Sequence, residues 1–108
     1  VTRIADSSIN PMVKNYHWGD FTKAIFEAKE KHVETAILTD ANGFVTEGPG
    51  FNIFAITGKT LLTPAHGVLA GITRETVLEI ADQLQLKTEI RAISKAEFLQ
   101  ADEVFISS

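Results

Sequence analysis

Turn-forming residues interrupt the chain three times between positions 40 and 60, and this leaves room only for short, back-folding strands. The punctuation is Asp40-Ala41-Asn42-Gly43, Gly48-Pro49-Gly50 and Gly58-Lys59. Asn-Gly tolerates positive φ and reads as a hairpin turn. Gly-Pro-Gly breaks a strand sharply. Between these points lie β-prone runs at Thr35 to Thr39, Phe44 to Thr46, Phe51 to Thr57 and Thr60 to Leu62. The spacing predicts an antiparallel meander.

The rest of the chain adds helices around that meander. Residues 1–19 read as irregular, with Ser7, Ser8, Asn10 and Pro11 as breakers. Asp20 reads as the N-cap of a helix over 21–32, with Phe21, Ala24, Ile25 and Ala28 as its apolar stripe. Residues 64–71 read as a loop. A second helix is predicted over 74–84, with Val77, Leu78, Ala81 and Leu84 along one side. A strand follows over 86–93, in which Leu86, Thr88, Ile90 and Ala92 alternate with charged residues. Ser94 and Glu97 form a capping-box pattern before a short helix, and a last strand covers 103–107. Strands and helices in mixed order give the α+β class. At 108 residues the chain suits one domain. Its edges, Val1 at the start and Ser108 directly after a strand, read as those of an incomplete domain, with 1–19 as a linker carrying a lysine segment and 20–108 as the body.

Charge and composition narrow the function. A net charge of −4 without any basic block argues against nucleic acid or an acidic membrane as partner. No apolar run is long enough to span a bilayer. There is no cysteine, which removes disulfides and thiolate metal sites and suits a reducing compartment; the expected location is the cytoplasm. His17, His32 and His66 lack ligand spacing, so no metal site is expected.

Three segments carry chemistry. Lys14 offers an amine that can attack an aldehyde once it loses a proton, with Met12, Val13, Tyr16 and Trp18 as a possible apolar wall. Taken alone, such a lysine is far more often a solvated surface charge. Glu47 stands at the end of a strand before Gly48-Pro49-Gly50, and it can hold a ring nitrogen protonated. Taken alone, it also reads as an exposed acid beside a tight turn. Gly71-Ile72-Thr73 opens a helix whose first N–H groups lack intrahelical partners and favour an anion such as a phosphate monoester. The Thr73 hydroxyl reads either as the cap or as a phosphate ligand. Leu69 reads either as core or as a face for a flat ring.

The runs Val13-Lys14-Asn15, Thr46-Glu47-Gly48-Pro49-Gly50-Phe51-Asn52, Leu69-Ala70-Gly71-Ile72-Thr73-Arg74 and Ala101 to Ser108 occur in an order that resembles the class IV, or fold-type IV, aminotransferases that use pyridoxal 5′-phosphate (PLP). The resemblance covers nearly the whole chain. It implies the larger, cofactor-bearing domain of a fold like that of D-amino-acid and branched-chain aminotransferases. By it Lys14 matches the lysine that carries the cofactor, and Glu47 the acid paired with the pyridine nitrogen. Leu69 matches the residue against the ring. Gly71, Ile72 and Thr73 match the phosphate cup, and Ser108 the start of a second phosphate-side loop. The implied activity is transamination between an amine or amino acid and a 2-oxo acid in a homodimer. Elimination of the aminodeoxychorismate lyase kind, or a catalytically incomplete piece of such an enzyme, are the alternatives. Where the branched-chain type has a tyrosine after the lysine, this chain has Gly19. The run from Lys14 to Asp20 is instead similar to the (R)-selective amine transaminases. The resemblance also implies an N-terminal domain outside these residues.

Overall fold

The computed structural model describes residues 1–108. Its centre is a four-stranded sheet in the order β3-β2-β1-β4, with β1 at Asn52–Thr57, β2 at Thr60–Pro64, β3 at Lys87–Arg91 and β4 at Glu103–Ser107. The helices are α1, Gly19–Glu30; α2, Ile72–Gln83; and α3, Lys95–Leu99. The α+β class follows, as expected. β1 pairs antiparallel with both β2 and β4. β3 instead joins β2 in parallel, with α2 as the crossover that a parallel pair needs.

β1 is buried on both faces, so its apolar run is nearly continuous. On one face Phe54 packs with Leu61 and Ala81, joined by Val77 and Leu78 of α2 and by Phe105, whose ring stacks on that of Phe54 at 4.9 Å. On the other face Ala55, Leu62 and Ile93 meet Phe98 of α3. A third cluster, Phe21, Ala24 and Leu38 with Val1, fixes α1 near the first residues of the chain.

Several expected boundaries shift. The run 35–39 is not a regular strand: Thr39 makes single bridges to Val45 and to Thr2. Its return partner is short, and its other edge is taken by the chain start, where Arg3 N–H donates to Thr39 O. The loop at 41–43 has three residues, and only Gly43 has positive φ while Asp40 Oδ1 accepts from the N–H groups of Asn42 and Phe44. α1 begins at Gly19 with Trp18 as its N-cap and no side-chain cap, so Asp20 is not the cap. α2 begins at Ile72, two residues earlier than predicted, because Gly71 is its N-cap.

Both helices also stop short of 32 and 84. His32 and Gln85 adopt positive φ, and Val33 N–H and Leu86 N–H reach back to Ala28 O and Ala81 O. This closure usually uses glycine. β2 runs on to Pro64, and the strand predicted over 86–93 shortens to Lys87–Arg91. Ile25, Leu84 and Ile90 are exposed rather than packed. In β3 Glu89 and Arg91 are the half-covered residues: Arg91 bridges Glu89 and Glu97. The α3 prediction holds, with Ser94 Oγ accepting from Glu97 N–H at 3.1 Å. No helix is long and apolar enough to cross a membrane.

Candidate active site

The start of β1, the end of β4 and the N-terminus of α2 converge at one edge of the sheet. The Asn52–Ser107 register places the first two side by side. The Gly48–Phe51 pair closes a tight turn through Pro49 and Gly50, where Gly50 at φ 86° takes the position that demands a left-handed residue. That turn presents Glu47 toward the same edge. The irregular lysine segment closes the other side. Its path is set by local amide bonds: Asn10 Oδ1 accepts from Met12 N–H, and Asn15 donates to Val13 O and accepts from His17 N–H.

The result is a cleft of about 500 Å³ whose lining includes Lys14, Glu47, Leu69, Gly71, Ile72, Thr73 and Ser108. The structure therefore brings together Lys14, Glu47 and the phosphate-cup residues that the sequence singled out. Lys14 is exposed at the wall. Of its expected apolar neighbours, Val13 and Trp18 line the cleft, but Tyr16 is fully exposed and Met12 largely so. Phe21 and Phe51 supply the remaining aromatic surface.

Glu47 is buried, at 6% exposure. Its Oε2 accepts from Leu69 N–H at 2.9 Å, and its Oε1 lies 3.3 Å from Arg3 Nη2. Burial pushes its carboxyl up to about 7; the Leu69 N–H and the Arg3 guanidinium pull it down, and Asp20 adds a small upward push. The reading of Glu47 as an exposed acid beside a turn is thus overturned. Leu69 is half-buried and faces the cleft, while its carbonyl accepts from Asn52 Nδ2 at 2.7 Å.

At α2 the first helical bond runs from Glu75 N–H to Gly71 O, which leaves the Ile72, Thr73 and Arg74 N–H groups without intrahelical partners. Thr73 does not cap the helix. Its hydroxyl donates to Ser108 O at 2.8 Å and ties the helix start to the end of β4. The Ile72 side chain is exposed, and its backbone N–H has no backbone acceptor.

Sequence reasoning missed four contributors. Arg3 and Asp20 form an ion pair at 2.8 Å beside Glu47. Asn52 was visible as a polar residue opening an apolar strand. Ser107 Oγ is buried on the cleft wall with no hydrogen-bond partner.

Gly71 is tightly placed: a Cβ there would stand 2.7 Å from Asn52 Oδ1. Gly71→Ala is expected to push Asn52 off Leu69 O, at a cost of about 1–3 kcal/mol, and to weaken binding of a phosphate monoester. Thermal melting and titration with such a ligand check both effects.

A model of the family described as Amino-transferase class IV matches residues 1–108, and the chain belongs to that family. The branched-chain-amino-acid aminotransferase of Escherichia coli (strain K12) is 34% identical over 83 residues, 75% of this chain and 27% of that protein. The crystal structure of the branched-chain aminotransferase from the thermophilic archaeon Thermoproteus uzoniensis with norvaline superposes with a TM-score of 0.94 at 35% identity, covering 99% of this chain and 37% of that one. The branched-chain amino acid aminotransferase from Thermobaculum terrenum in its PLP form gives a TM-score of 0.94 at 32% identity, covering 99% and 36%. The chain thus spans well under half the length of the relatives it matches.

Proposed function

We propose that the protein containing this chain is a PLP-dependent aminotransferase that moves an amino group between an amino acid and a 2-oxo acid. The carrying observation is the convergence of Lys14, the buried Glu47 and the open amides at Ile72 and Thr73 on one cleft of about 500 Å³. The residues present fit the cofactor. Ser107 Oγ is an orphaned buried donor on the wall, and Gly71 keeps the helix start free of a side chain beside Asn52. When bound, PLP supplies an electron-withdrawing ring that acidifies the α-hydrogen of an attached amine.

The chain's own groups have distinct tasks in this reading. Lys14 Nζ is the group that would hold the cofactor through its aldehyde carbon, and as a free amine it would take the substrate α-proton and return it as a general acid. Glu47, held at both oxygens by Leu69 N–H and Arg3, would present a carboxylate to a ring nitrogen. The α2 amides and macrodipole bind phosphate and so fix the tilt of whatever carries it. Leu69 and the aromatic wall exclude water from one face.

The names of the matched relatives support a branched-chain amino acid as donor and favour transamination over elimination. They also weigh against the (R)-selective amine transaminase likeness of the lysine run. We place the protein as a homodimer, supported by apolar Met12 and Tyr16 exposed on the lysine segment outside the cleft. The test is borohydride reduction of the full-length protein with PLP, followed by peptide mass analysis. The expected result is a phosphopyridoxyl label on Lys14; a label elsewhere, or none, overturns the assignment.

A further inference from the structure

The proposed reaction gives Glu47 a partner in the ligand but does not say what opposes the burial of its charge before the ligand arrives. Arg3 stands at that point. Its side chain is only 12% exposed. Nη1 donates to Asp20 Oδ2 at 2.8 Å, and Nη2 lies 3.3 Å from Glu47 Oε1. The guanidinium carbon sits 4.3 Å above the Phe21 ring, which stops the side chain from swinging away from α1. Its backbone is pinned as well, through Arg3 N–H to Thr39 O at 2.8 Å.

Asp20 is fixed independently. Its Oδ2 also accepts from Ile4 N–H, and its Oδ1 accepts from Phe21 N–H. The Arg3–Asp20 contact is the shorter of the two, so Asp20 anchors the guanidinium and the second nitrogen is presented to Glu47. The groups facing Glu47 are then Arg3 from the chain start, Asp20 from α1, Lys14 and His17 on the lysine segment across the cleft, and Leu69 N–H from the loop before α2. Lys14 and His17 are exposed to solvent; Arg3 is the cation in contact with the buried carboxyl.

We propose that Arg3, anchored by Asp20, is a positioning residue that favours the charged form of Glu47 against its burial and holds its carboxylate in one orientation toward the cleft. The consequence for catalysis rests on the function proposed above, but the electrostatic role does not. It is therefore tested first without cofactor. In the full-length apo protein labelled with ¹³C at glutamate side-chain carboxyls, the Glu47 resonance is assigned by its loss in Glu47→Gln and titrated with pH.

Arg3→Gln, which can still donate to Asp20 but carries no charge, is expected to raise the Glu47 midpoint by about one unit or more, the usual effect of an opposite charge at this distance. Arg3→Lys is expected to leave it near the native value. An unmoved midpoint in Arg3→Gln, or equal shifts in both variants, overturns the proposal, because packing alone then accounts for Arg3. If Arg3→Gln does not fold, the neutral Arg3→Met takes its place: a midpoint raised by about one unit or more supports the proposal, and an unmoved one overturns it. A second titration follows PLP absorbance in the same proteins. A shifted Glu47 midpoint in a protein that never binds PLP supports the Arg3 role and sinks the cofactor reading; PLP binding with an unmoved midpoint does the reverse.

Discussion

Lys14→Ala in the full-length protein is expected to cut transamination by about 10³-fold or more, leaving only what binding and buffer bases supply. A general acid or base in position contributes about 10²–10⁴-fold, and in this reading the same nitrogen also serves as the covalent anchor. The two roles separate experimentally. An added small amine can restore some proton transfer to the alanine variant but cannot restore the anchor. Lys14→Arg keeps a positive charge and much of the length, yet a guanidinium does not give up its proton near neutrality. It should therefore be as inactive as alanine. Steady-state assays with PLP in excess check all three outcomes, and turnover well above background in either variant would remove Lys14 from both roles. Lys14 is exposed and has no hydrogen-bonded partner of its own among these residues, so its replacement should leave the melting temperature nearly unchanged. Lost activity in that variant would be chemical rather than structural.

Lys14, Glu47 and the 69–73 run were each weak signals alone and were legible in the sequence only as an ordered set. A Pro-Gly turn fixes where Glu47 points, and a glycine before a helix opens its amides. Ser94 and Glu97 were readable because a capping box is local chemistry. What escaped depends on contacts between distant positions. Asp20 has the residue type and place of an N-cap, and nothing local reveals that its oxygens are taken by Arg3, Ile4 N–H and Phe21 N–H. Arg3 itself lies in an irregular stretch without periodicity. The helix ends were overrun because His32 and Gln85 take the left-handed position where glycine would have signalled a stop. The parallel β2–β3 pair was hidden because short apolar runs do not announce their direction. Only the crossover helix does, and its start was placed two residues late.

Glu47→Gln should produce two effects of opposite sense, and their combination is specific to a buried acid awaiting a cationic partner. In the cofactor-free protein the Glu47 carboxyl is pushed up to about 7 from an ordinary 4.5, chiefly by burial. The native state therefore holds this proton more tightly than the unfolded chain does. The associated stability is fully present below about pH 4.5 and falls as the pH rises through 7. The native protein should lose on the order of 2 kcal/mol from this source, reduced by partial solvent screening. Glu47→Gln cannot titrate, so denaturant melts at pH 5 and pH 8 should show a smaller loss for the variant. Catalysis should move the other way. Glutamine presents no negative charge to a protonated ring nitrogen, so loss of the substrate α-proton should slow by about 10²-fold or more. PLP affinity should fall far less, because Lys14 and the α2 amides remain. Single-turnover rates with α-deuterated substrate isolate that step. A variant that keeps the native single-turnover rate would detach Glu47 from the ring nitrogen, even if its pH-dependent melting behaves as expected. Stability lost on ionisation in the free protein and rate gained from that same charge in the loaded one would be two consequences of burying a carboxylate at the cleft wall.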